Sequence, residues 1–170
     1  HTIGMATVTA GNKAGNLTVN SDDVDFPAKT VALSGTVLRH AVPAVDMAGL
    51  TEGTVSFGLH EIGGFSDMPA NARNNGYDAL QALLNVYGGT ITGPDAARFS
   101  IVGGFSASDV GGTPAAYSLH FDDTSAMNGT TYTATLTLTT RDQQGLPGAM
   151  NQSNLTYSLS AEISTASAAP

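Results

Sequence analysis

The 170-residue chain is predicted to be all-β, an antiparallel β-sandwich, and three features of its sequence carry that expectation. Two segments near its C-terminal end alternate apolar and polar residues with a period of two, which on a strand gives one buried and one wet face. Charged residues make up only 12% of the chain, about half the usual share, too few to clothe long helices with a solvated Glu/Lys face. The remainder is rich in Thr, whose branched Cβ fits a pleated surface, and in Gly (20 residues) and Asn, which make turns.

The elements follow in chain order. Residues 15–37 (GNLTVNSDDVDFPAKTVALSGTV) read as strand, polar turn with Pro27, strand, with Leu17, Val19, Val31, Leu33 and Val37 sharing one apolar face. Residues 41–52, which contain Pro43 and Gly49, read as a linker. Val55, Phe57 and Leu59 then alternate with Ser56, Gly58 and His60. The run 78–86 (DALQALLNV) suits a short helix or a buried strand, and its neighbours favour a strand. Phe99 with Ile101, and Tyr117 with Leu119 and Phe121, mark two more.

The clearest alternation lies at 130–140, with Tyr132, Ala134, Leu136 and Leu138 set against Thr133, Thr135, Thr137 and Thr139. The segment 154–165 repeats it, with Leu155, Tyr157, Leu159, Ala161 and Ile163 inward. The intervening RDQQGLPGAMNQS has the composition of a hairpin loop. Residues 15–37 and 134–163 thus share one order of elements, an internal repeat that suggests tandem modules.

Four stretches also resemble a known group. The phrase NLTVNSDDVDFPAKTVALSGTV (16–37), ending in Leu33-Ser34-Gly35-Thr36, looks like the closing hairpin of the Hydin-type immunoglobulin-like modules of bacterial choice-of-anchor D surface proteins. VSFGLHEIGG (55–64), ITGPDAARFSI (91–101) and GTTYTATLTLTT (129–140) resemble later pieces of the same module in the same order. The second hairpin departs from the pattern, with a longer turn and Leu-Ser-Ala-Glu at 159–162. The resemblance implies an immunoglobulin-like sandwich divided as 1–40, the closing strands of a preceding module; 41–52, a linker; 53–165, one complete module; and 166–170, a tail. It implies a spacer, scaffold or adhesive role at the cell surface or outside the cell, and it supplies no catalytic residues.

Charge and composition narrow the functional classes. The formal net charge of −8 and the absence of a basic patch oppose binding to nucleic acid or anionic lipid. No apolar run approaches the ~20 residues that span a bilayer, so no membrane insertion is expected. Absence of Cys removes disulfides, zinc–thiolate sites and cysteine nucleophiles. A start at His1 without Met suggests a processed or truncated product. Asn16, Asn128, Asn151 and Asn154 stand in Asn-x-Ser/Thr sequons, which a Thr- and Ser-rich chain produces by chance.

Individual residues offer candidate chemistry, each against a plainer reading. An N-terminal His1 could chelate copper through its amine and ring, as in oxidative polysaccharide-cleaving enzymes, given a second histidine from His40, His60 or His120. His60 and His120 could hold zinc across paired strands but lack a third ligand. Asp22, Asp23 and Asp25, and Asp122 with Asp123, are calcium candidates without an EF-hand pattern, and the first three fall where a turn needs Asp. The Gly/Asn/Ser-rich stretches 64–78 and 103–114 bring Phe65, Tyr77 and Phe105 as aromatics for a glycan. No catalytic residue and no cofactor is expected. The expected partners are other copies of the chain or adjacent modules of the same protein, with glycan binding as the alternative function. The apolar hairpin face must be covered, and strand addition by a neighbouring molecule into a fibre or layer is one way to cover it.

Overall fold

A computed structural model describes residues 2–165 and divides them into two compact units. The first comprises the residues up to Arg39 together with Ala79–Gln81, and the second His40–Asp78 and the residues from Ala82 onward.

The first unit contains one antiparallel hairpin, β1 (Gly11–Asn20) and β2 (Ala28–Val37), paired from Gly11↔Val37 to Asn20↔Ala28. Its turn closes with the Ser21 amide on the Pro27 carbonyl (2.9 Å). Period two puts Leu17 opposite Val31 and Leu33 opposite Gly15 on one face. Asn12, Asn16 and Thr18 share the other face with Thr36, Ala32 and Thr30. The apolar face is open to solvent in places, with Val19 53% and Val31 43% exposed.

The second unit is a two-sheet sandwich. In chain order its strands are β3 (Pro43–Ala44), β4 (Glu52–His60), β5 (Met68–Asn74), β6 (Leu84–Thr92), β7 (Phe99–Ile101), β8 (Ser108–Val110), β9 (Ala115–Phe121), β10 (Thr131–Asp142) and β11 (Leu155–Ile163). One sheet has the order β4-β11-β10-β6-β8 and the other β3-β5-β9-β7. The two sheets, one of five strands and one of four, pack together as an all-β sandwich. The apolar residues of the two alternating C-terminal segments, Tyr132 to Leu138 and Leu155 to Ile163, are all buried as expected.

Tyr132, near the start of β10, accepts the Met127 amide on its hydroxyl (2.9 Å). Its ring meets Phe121 at 5.6 Å on one side and the Arg98 guanidinium at 4.6 Å. Removing the hydroxyl with Tyr132→Phe keeps the ring and orphans one amide. The expected loss is about 1 kcal/mol in urea-unfolding free energy.

Four details correct the sequence reading. Not every pair is antiparallel: β4 runs parallel to β11. Residues 41–52 are not a linker, because β3 pairs with β5 and Ala41 and Ala44 are buried. Only the last three residues of 78–86 lie in a strand, since β6 begins at Leu84. Leu59 turns outward (58% exposed) because the register shifts opposite Ser160 and Glu162, next to Gly58 at φ 81°. An irregularity of this kind puts the following residue on the other face.

Candidate functional site

The predicted ligand residues are distributed rather than convergent. His1, the copper candidate, and the tail 166–170 lie outside the described residues. His60 is exposed and meets the edge of Phe65 at 5.1 Å. His120 is exposed and pairs through Nδ1 with Asp67 Oδ1 at 2.8 Å. His40 is joined instead to Asp142. Among the described residues no three His, Asp or Glu side chains gather in a way that could hold a metal.

The acidic clusters are occupied with backbone. In the β1–β2 turn, Asp23 Oδ1 accepts the Asp25 amide (2.9 Å), the Asp-turn geometry that this composition favours. After β9, Asp122 Oδ1 accepts the Thr124 amide (2.9 Å) and Asp123 Oδ2 accepts the Gly63 amide. The Thr124 hydroxyl and amide, helped by the charges of Arg98 and His120, hold the Asp122 carboxyl below its ordinary pKa. Arg98 ties this bend by donating to the carbonyls of Asp122, Thr124 and Ser125. The four sequon asparagines are all exposed.

The aromatics of the two glycine-rich stretches separate. Phe65 packs edge-on against Phe121 (4.9 Å), and Phe105 stacks on Tyr117 (5.5 Å, 14°), so both are partly buried against the core. Only Tyr77 stays open, at 37% exposure. It lines a cleft of about 190 Å³ together with Asp46, Arg73, Asn75, Gly111 and Gly112. The cleft therefore unites the end of the first stretch with the end of the second. It adds Asp46 from the segment read as a linker.

The most elaborate polar cluster is one that residue patterns did not single out as a site. Asp142, 1% exposed, receives the Ala41 amide (2.8 Å) and the Gln152 side-chain amide (3.0 Å) on Oδ1. Its Oδ2 receives the Met150 amide (3.1 Å) and lies 2.6 Å from His40 Nδ1. Burial opposes ionisation, but the amides of Ala41 and Met150 and the adjoining His40 outweigh it, so the carboxyl lies below its ordinary pKa. The signal was available: Thr140 and Asp142 continue the inward positions of Tyr132 to Leu138. Nearby, Asn74 Oδ1 accepts the Val42 amide (2.9 Å), and its Nδ2 donates to the carbonyls of Ala82 and Val110. These two side chains pin the chain at 41–42. Every Asp142 contact is to backbone, an amide or a histidine, an arrangement that anchors and presents no nucleophile.

No protein-family model matches the chain, and no curated protein matches it either. Among the described residues no helix is long and apolar enough to cross a membrane.

Proposed function

We propose that the chain is a non-catalytic structural or adhesive unit of an extracellular or cell-surface protein, of the Hydin-type immunoglobulin-like kind. In this reading the β1–β2 hairpin is its joining element, completed by the same hairpin of a second copy. The observation that carries it is a contrast within one polypeptide. The two hairpins share a sequence pattern, yet β10 is flanked by β6 and β11 by β4, while β1 and β2 form a sheet of two.

An isolated two-stranded hairpin is at best marginally stable in water. This one adds an apolar groove of about 500 Å³ between Leu33 and the N-terminal residues Ile3 and Met5. Edge strands are commonly guarded by Lys; here Lys13 and Lys29 are the basic residues of the two strands. Two hairpins laid edge to edge, related by a two-fold axis, would make a four-stranded sheet that brings Leu17, Val31 and Leu33 of both copies onto one face, which Lys13 and Lys29 share. The backbone ladder would supply affinity, and Leu17, Val31 and Leu33 would set the register.

Sedimentation velocity over a wide concentration range tests this. The full chain is expected to self-associate, and Leu33→Asp, which sets a carboxylate on that face, is expected to weaken association at least tenfold. The thermal transition of the sandwich should not move with that substitution. A chain that stays monomeric throughout, or an association indifferent to Leu33→Asp, would sink the proposal.

A further inference from the structure

We infer that the cleft at Asp46, Arg73 and Tyr77 is a binding site for one neutral pyranose ring, such as the terminal sugar of a glycan. This is a function separate from assembly through the hairpin, and it stands or falls independently of it.

Size restricts the ligand first. About 190 Å³ lies below the ~300–1,000 Å³ of sites that enclose drug-sized molecules, so a single ring is the natural occupant. The lining then selects its chemistry. A sugar hydroxyl both donates and accepts, so it needs acceptors and donors side by side. Asp46 uses Oδ1 to hold its own turn, accepting the amides of Ala48 (3.0 Å) and Leu50 (3.1 Å). That fixes the carboxylate in place and leaves Oδ2 as an acceptor for a ligand. Arg73, half-buried on β5, forms no ion pair among the described residues and brings a planar set of donors.

Tyr77 supplies the apolar surface that the C–H face of a pyranose requires. Its ring is seated by glycine. A Cβ at Gly111 would stand 3.2 Å from ring atom Cε1, and one at Gly112 would stand 3.7 Å from Cδ1. Larger residues at 111 would therefore push the ring from its seat. The backbone that carries Tyr77 turns through Gly76 at φ 66°, a conformation glycine adopts without strain. Charge favours a neutral ligand over an anionic one: the chain carries −8 overall, and Asp46 lines the same cleft as Arg73. A shallow site with one aromatic implies weak binding, in the millimolar range.

The test is an amide-resolved NMR titration of the full chain with glucose, galactose, mannose, fucose and N-acetylglucosamine, with inorganic phosphate and acetate as separate arms. The expected result is saturable shifts confined to residues 46–50, 73–77 and 111–114 with at least one sugar. Tyr77→Ala is expected to weaken that binding at least tenfold with the rest of the spectrum unchanged. Arg73→Gln serves as a second variant should Tyr77→Ala fail to fold, with the same expectation. Absence of saturable shifts with every sugar overturns the inference, as does binding that survives both substitutions. Saturation of these amides by phosphate or acetate but by no sugar overturns it too, and marks the cleft as an anion site.

Discussion

Phe121→Ala is expected to remove about 3–5 kcal/mol from the stability of the sandwich. The residue is 2% exposed at the end of β9. Its ring lies against four others: Phe65 at 4.9 Å, Phe99 at 5.1 Å, Tyr132 at 5.6 Å and Phe57 at 6.1 Å. These rings come from both sheets and from the loop after β4, so alanine would open a cavity that no single strand can close by shifting. A domain of this size holds only ~5–15 kcal/mol in total, and the change consumes a large part of it. Urea unfolding monitored by tyrosine fluorescence should show a lower midpoint with little change in slope. Phe121→Leu, which retains most of the volume, should cost about 1–2 kcal/mol. A loss below about 1 kcal/mol for the alanine variant would contradict the close packing of this cluster.

Asp142→Ala should be nearly as damaging, at about 3 kcal/mol near neutral pH, because it strips the buried amide of Ala41 and the part-buried amide of Met150 of their acceptor. The His40 ring is more than half exposed and loses little by itself. The effect carries a pH signature. The folded-state carboxyl pKa is depressed, so the stabilisation is complete above the ordinary carboxylate pKa and drains away as pH falls through the folded value. The gap between native chain and variant should therefore be widest near pH 7 and narrow below about pH 4. Unfolding free energies measured at both ends of that range decide it. A gap that stays constant across the range would show that Asp142 acts through shape alone.

The core strands were legible in the residues because alternation is local. Tyr132 to Leu138 and Leu155 to Ile163 each need only period two and one wet face to be identified, and both are buried as read. What escaped was whatever depends on partners distant in the chain. Pro43 and Ala44 form a strand too short to show a period, and it exists because Asn74 and Arg73 lie opposite. The parallel placement of β4 beside β11 joins residues about a hundred positions apart, and nothing in 52–60 encodes it. Leu59 alternated correctly and still faces outward, since the irregularity beside Gly58 is a property of the pairing.

The candidate sites divide along the same line. Asp22 to Asp25 were recognisable as turn residues from their types alone. Asp142 was visible as a polar residue on an inward position, but two of its four partners, His40 and Ala41, come from a segment about a hundred residues away. Phe65, Tyr77 and Phe105 looked alike as loop aromatics, and only tertiary packing separates the exposed ring from the two partly buried ones.

The direction of β4 also bears on how the protein carries tension. A pull applied at Glu52 and Ile163 acts at opposite ends of a parallel ladder, so its hydrogen bonds are loaded in shear and must yield nearly together. The β1–β2 hairpin is loaded otherwise. Its terminal residues Gly11 and Val37 face each other, so the same pull peels it open one pair at a time. One polypeptide thus combines an element that gives way at low force with one that resists it. In series, the hairpin would extend first, and the sandwich would hold.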